Sequence, residues 1–367
     1  MPVSYEPINV NTDVTTTKTI LHEAIPLTGT IISGTYGTFP DEENIKNFTH
    51  GMFQSVYDYP YLSSSANHIF DITVGYDESS QLSSSISTQN SKKINMYNQF
   101  SQVLLGYTGS ANTVRLFESD LLLDGDGQMP DVAILSFSRL LTKDQIKQGT
   151  FSLELGVGPY TASMGSTITL QDLKSSPNLD GTVSTVGGDY GVLYDSTSSI
   201  GAAADNSASY GVVFYQAGIA VISGSVWHRA TGRLSGAAVF NSGSTLSGSD
   251  PTGLTWQHSV MSASISGNCD AVRNRIKNLT FNNSTEINST IYFCRLPVNK
   301  FNYSSNPTYV SESKIRVKNN ASDVPVAYCT TVGLYNARNE LLAVAKLSEP
   351  LKKTPQNELT IRVRLDY

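Results

Sequence analysis

Hydrophobic and polar positions along this chain follow the two-residue period of strands far more often than the helical period. Leu359, Ile361, Val363 and Leu365 alternate with Thr360, Arg362, Arg364 and Asp366, the pattern of a strand with one buried and one wet face. Before it, Val326 to Tyr335 and Leu341 to Leu347 are β-rich runs joined by the short polar stretch Asn336 to Glu340, which predicts a hairpin. Pro350 and Pro355 flank Lys352 and Lys353 and bar that connection from the interior of a sheet, since proline has no backbone N–H to give. Further strands are expected at Thr28 to Phe39, at Ile69 to Val74, over Thr113 to Leu123, Val132 to Leu141, Thr150 to Val157 and Tyr210 to Val226, then at Ile291 to Leu296 and Lys314 to Lys318.

Only two stretches carry a helical period. In Lys92 to Gly106, Ile94, Tyr97, Phe100, Ser101 and Leu104 recur at three- and four-residue steps and Gly106 supplies the stop. In Asn268 to Leu279, Asn268 is the expected N-cap, Cys269, Val272, Ile276 and Leu279 share a face, and Arg273, Arg275 and Lys277 lie elsewhere, as a solvated face or a basic binding face. A capping box, Thr142 with Gln145, predicts one more helical turn ending at Gly149. The fold expected is mainly β, with β-sandwich-like domains, a few short covering helices and an α+β N-terminal part.

Composition divides the chain. Residues 1–30, Thr-rich and punctuated by Pro2, Pro7 and Pro26, read as an extended N-terminal arm that adds a strand to a neighbour, or as an edge strand of the same subunit. Residues 31–160 read as an α+β assembly domain, 161–255 as a Gly- and Ser-rich β insertion, and 256–367 as a helix followed by a C-terminal β-domain. Charged residues are 15% of the 367, and the formal net charge is −6, so a nucleic-acid partner is not expected. The N-terminus lacks a signal-peptide pattern and no apolar run is long enough for a membrane span, so synthesis in a cytoplasm without membrane insertion is expected. The Asn-X-Ser/Thr triplets, for example at Asn47 and Asn283, then follow from Asn- and Ser-rich composition. Cys269, Cys294 and Cys329 are far apart and odd in number, which favours buried free thiols over a Cys294–Cys329 disulfide.

No catalytic pattern stands out. His22, His50, His68, His228 and His258 are scattered, and neither a Gly-X-Ser-X-Gly elbow nor a dinucleotide fingerprint is present. Asp124, Asp126 and Asp131 resemble part of a calcium loop, but the remaining ligands are missing, so an Asp-Gly turn is expected and neither metal nor cofactor. A pair of carboxylates sufficient for a glycosidase stays open, since any two could meet in space. The densest cluster of chemistry-bearing side chains is aromatic: Phe53, Tyr57, Tyr59 and Tyr61, with Phe48 before them. These are the candidate subunit-contact residues, with a stacking platform for a glycan as the alternative.

The run CTTVGLYNARNELLAVAKLSEPLKK resembles a pattern in virion structural proteins of tailed bacteriophages, of the tail and baseplate type found in cyanophage-like phages. The segment NIKNFTHGMFQSVYDYPYLSSSANHIFDITVGY carries the same resemblance. The resemblance implies a non-enzymatic structural role in the virion, in tail, baseplate or neck, with other virion proteins and copies of the chain itself, as a ring or trimer, for partners. A receptor- or glycan-binding tail protein contacting a host glycan, a glycan-degrading enzyme and a capsid decoration protein are the other readings.

Overall fold

The computed structural model describes residues 5–27, 42–78, 80, 88–108, 113–157, 167–172, 182–196, 209–227, 256, 263–304, 310, 311, 314, 315, 320 and 322–367. The expected strand at Thr28 to Phe39, and His228 and His258, lie outside them. The fold is mainly β with few short helices, as the periodicity predicts. Its elements are α1 (Val10–Asp13), β1 (Val14–Pro26), β2 (Ile45–Asn47), β3 (Gln54–Tyr57), β4 (His68–Tyr76), α2 (Thr88–Leu104), β5 (Phe117–Glu118), β6 (Gln128–Met129), β7 (Asp131–Phe137) and α3 (Arg139–Thr142). There follow β8 (Gln145–Ile146), β9 (Ser152–Gly156), β10 (Thr167–Gln171), β11 (Thr182–Thr185), β12 (Gly188–Asp195), β13 (Ser209–Phe214), β14 (Ile219–Ser223) and α4 (Ile265–Arg273). The last are β15 (Ile276–Leu296), β16 (Val310–Ser311), β17 (Lys314–Ile315), β18 (Ala327–Tyr335), β19 (Leu341–Lys353) and β20 (Leu359–Asp366).

The chain forms two compact units: a central one, Leu21–Thr285, and a terminal one made of Met1–Ile20 and Glu286–Tyr367. In the central unit the strands hydrogen-bond in the order β15, β9, β10, β12, β13, β14, β7, β4, β3, β2, through antiparallel neighbours. Strands β10, β12, β13 and β14, from the stretch expected to be an insertion at 161–255, are therefore central strands of this sheet, with β11 paired to β12 off that order. Helix α2 lies on one face. A Cβ added at Gly75 of β4 would stand 2.8 Å from the Lys93 carbonyl oxygen and 2.9 Å from the Tyr97 nitrogen, so strand and helix meet backbone to backbone. Gly106, with φ +82°, ends α2 as its sequence position predicts, and its N–H reaches back to the Ser101 and Gln102 carbonyls. On the other face, helix α4 packs its Ile265, Cys269 and Val272 into an apolar core with Ile72, Val74 and Leu135. With both faces covered, β4 is buried on both sides, so Thr73 is as enclosed as Ile72.

Several local expectations change. Helix α4 starts at Ser264, whose hydroxyl caps the Gly267 N–H at 3.1 Å, and not at Asn268; it is over by Arg273, and Ile276 already belongs to β15. Arg273 and Arg275 are fully buried, which overturns both the solvated and the basic-surface readings. Arg273 pairs with Asp270 of its own helix at 2.9 Å and Arg275 donates to the Gly156 carbonyl of β9 at 2.9 Å, so the interior takes up the charge that the sequence suggested for solvent. Thr142 ends α3 and does not start a helix: Lys143, at φ 55°, turns the chain and Gln145–Ile146 pairs with β15. The strand expected over Thr113 to Leu123 narrows to Phe117–Glu118, because the Asp120 carboxylate accepts the Leu122 N–H at 3.0 Å and bends the chain. The first residues do include one helical turn, α1, and β1 hydrogen-bonds to β15 of the same chain as an edge strand and does not stand free as an arm.

The terminal unit is a thin sandwich. Strand β20 pairs with β15 from Leu296↔Leu359 to Ser289↔Asp366, and the β18–β19 hairpin packs over them. Leu296, Ile361 and Val363 meet Leu334 in the core, with Val332, Ala343 and Ala345 beside it, while Arg362 and Arg364 face water. The hairpin register slips between Cys329 and Thr331, opposite the stretch holding Pro350, so the proline sits where no ladder bond is required. Lys353 is buried, donating to Asn302 Oδ1 and the Thr354 carbonyl at 2.8 Å each, so Lys352 and Lys353 are not a surface pair.

Candidate functional site

The aromatic cluster lies on β3 and the loop after it, next to the end of the central sheet where β2 is the last strand. Alternation along β3 puts Phe53, Ser55 and Tyr57 on one face. The structure divides the four candidates. Phe53 packs at 4.8 Å on Phe48 and 5.0 Å on His50, whereas Tyr57 meets Tyr61 at 6.4 Å and His68 at 5.5 Å. Tyr59 and Tyr61, 46% and 37% exposed, sit beside Leu62 at 85%. Their loop is held by Asp58, whose carboxylate takes the Asn67 N–H at 2.6 Å and side-chain amide at 2.8 Å, and by the Tyr61 N–H on the Glu43 carbonyl. Two rings and a leucine are thus presented to solvent on a braced loop.

Between these two aromatic groups sits Asp71. Its Oδ1 accepts from Ser55 Oγ at 2.5 Å and from His68 Nε2 at 2.8 Å. In a nucleophilic triad the imidazole stands between serine and carboxylate and removes the serine proton. Here the carboxylate stands between the other two, so the Ser55 hydroxyl donates and is not activated. Asp71 also lines a cleft of ≈ 240 Å³ in which Phe53, Met96, Phe100 and Ile134 alternate with the polar Thr73, Gln99 and Ser136. Such a cleft can receive a side chain or a hydroxylated ring. Ser55 and Asp71 are direct cross-strand partners, so a correct β3–β4 register would have joined them in advance; the alternating pattern alone did not supply it.

The buried Asp172 and Lys93 are taken up by the fold. Burial pushes the Asp172 carboxyl up to about 6, against the pull of the Gly149 and Phe151 N–H groups and the Tyr215 hydroxyl, all on protein. Lys93, pushed down to about 8 by burial, donates to the Ala263 carbonyl at 2.6 Å. Asp124 accepts the Asp126 N–H at 3.1 Å, the Asp-Gly turn expected, and among the described residues no three His, Cys, Asp or Glu side chains are grouped to hold a metal. All three cysteines are free thiols; Cys269 is buried, but Cys294 and Cys329 are only half-buried. No helix among the described residues is long and apolar enough to cross a membrane. No protein-family model, curated protein or solved structure matches this chain.

Proposed function

We propose that the chain is a non-enzymatic structural subunit of a tailed-phage virion, in the tail, baseplate or neck, working through contacts with other virion proteins and with copies of itself. The observation that carries this reading is the braced loop presenting Tyr59, Tyr61 and Leu62 to solvent beside Tyr57. Large apolar side chains held rigidly in water lose little entropy on docking, the property of a contact surface. The resemblance of the C-terminal hairpin sequence to virion proteins adds the setting. Antibody labelling of purified particles under the electron microscope tests it. Label at the tail tip or tail-to-head junction is the expected result; label over the capsid turns the reading to a decoration protein, and no label on intact or disrupted particles removes it.

The exposed Tyr59 and Tyr61 favour a second reading, a host glycan stacked on Tyr57, Tyr59 or Tyr61, with His68 and its Asp71 partner beside Tyr57 for the hydroxyls. Binding on a glycan array that disappears with Tyr61→Ala supports it. An array without hits disposes of it.

A further inference from the structure

The terminal unit holds the larger concavity, a cleft of ≈ 700 Å³ with Tyr5–Ile8, Phe293–Leu296 and Thr331–Tyr335 in its walls. Five consecutive residues of β18 line it. Since successive side chains of a strand point to opposite faces, a cleft touched by all five runs along the strand's edge and not over one face. That edge has no strand partner: β18 hydrogen-bonds only to β19 among the described strands, and Tyr5–Ile8 stand across the cleft from it, the Tyr5 ring edge-on against Tyr335 at 5.0 Å. The two strands of the hairpin treat their edges differently. β19 carries Lys346, Glu349, Pro350 and Lys352, the residues that keep an edge from recruiting another strand, whereas β18, AYCTTVGLY, contains neither charge nor proline. The charges near the cleft are already matched, Asp13 with Arg295 at 2.8 Å and Glu6 with Lys300 at 2.6 Å, so its occupant is neutral.

We propose that the open edge of β18 pairs, antiparallel and about a two-fold axis, with β18 of a second copy of this chain. An uncharged strand with apolar residues at alternate positions is what the edge calls for, and β18 is itself such a strand. Centred on Gly333, the pairing sets Val332 against Leu334 of the second copy on the apolar face. It sets Thr331 against Tyr335 of the second copy on the outer face. No like charges meet, and the glycine lies where the two backbones cross the axis. The hairpins become one four-stranded sheet as the second copy's strand takes the place that Tyr5 holds beside Tyr335, and Leu342 and Val344, 68% and 53% exposed, come to flank the contact. The proposal does not depend on the virion reading, because it concerns the purified chain alone.

Sedimentation velocity of the full chain at micromolar concentration is expected to show a dimer. Thr331→Glu should raise its dissociation constant by about tenfold or more, by placing a carboxylate in the pairing edge. The same glutamate faces Lys346 across the hairpin, so the fold is kept. A second variant fixes the register: Gly333→Cys, where the new Cβ meets only mobile ends of Tyr335 and Leu341, should form a disulfide-linked dimer with oxidised glutathione. Cα atoms directly opposite in an antiparallel pair lie about 4.5–5.5 Å apart, within disulfide reach. Val344→Cys, across the hairpin on β19, should not link. A monomeric wild-type chain, a dimer indifferent to Thr331→Glu, or equal linking at both cysteines would overturn the proposal.

Discussion

The two units bury their cores in different ways. In the central unit both faces of the sheet are covered, by α2 and by α4 with its neighbours, so a strand such as β4 is enclosed from Ile69 to Tyr76 apart from Asp71. In the terminal unit each strand has one dry face, and β20 alternates residue by residue between core and water. The difference teaches where each is vulnerable: the terminal unit through the polarity of a single face, the central unit through the closeness of its layers. It can be measured because Trp227 and Trp256, the chain's two tryptophans, are both buried in the central unit, stacked at 5.0 Å, with the Trp256 indole N–H on the Asp131 carboxylate. Tryptophan fluorescence therefore reports one unit and not the other.

The largest effect should come from Ile361→Asp, which places an unpaired carboxylate among Leu296, Leu334 and Val363 at a cost of about 3–5 kcal/mol. Proteolysis should then cut within residues 286–367 while the tryptophan transition in urea stays in place; a lost tryptophan transition would mean that the units do not differ as described. Gly75→Val is the converse, forcing α2 off β4 for about 3 kcal/mol, and should move the tryptophan transition to lower urea. Acidity gives the third contrast. The folded Asp172 carboxyl titrates near 6, above the ordinary carboxylate value, so the native state takes up its proton first. Its contribution to stability therefore grows as pH falls from about 6 to about 4, on the order of 3 kcal/mol, and is absent at neutral pH. Urea titrations of wild type and Asp172→Asn across that range should differ in slope, and parallel slopes would refute it. Ser264→Ala should cost about 1 kcal/mol through the lost cap of α4. Smallest is Tyr59→Ala, expected to move stability by less than about 0.5 kcal/mol and, on the virion reading proposed above, to reduce incorporation into particles.

The same contrast governs what could be read in the sequence. β20 and the β18–β19 hairpin were legible because one dry face imposes a period of two, and α2 because Tyr97, Ser101 and Leu104 repeat on one side and Gly106 ends it. Where both faces are covered, composition misleads: Arg273 and Arg275 look like surface charge, yet Asp270 and the Gly156 carbonyl give them partners inside. Thr142 and Gln145 had the right spacing for a capping box, but the left-handed turn at Lys143 decides otherwise. Of the candidate site, the aromatic residues were visible as a cluster in sequence. Their division into two groups around Asp71, and the cleft that gathers Tyr5, Phe293 and Thr331, depend on pairings between distant segments.

The order of folding follows from how the chain is threaded. Residues 1–20 and 286–367 build one unit although 265 residues, Leu21–Thr285, stand between them. Closing a loop of that length in an unfolded chain costs roughly 5 kcal/mol of entropy. The central unit removes that cost when it folds, because its two ends are fastened side by side, His22 Nδ1 to Ser284 Oγ at 3.0 Å and the Glu23 N–H to Asn283 Oδ1 at 3.1 Å. The continuing strands β1 and β15 then leave it already adjacent, and the terminal sandwich forms as a late, short-range event. Refolding should accordingly show tryptophan burial first, with protection of the β20 amides following it.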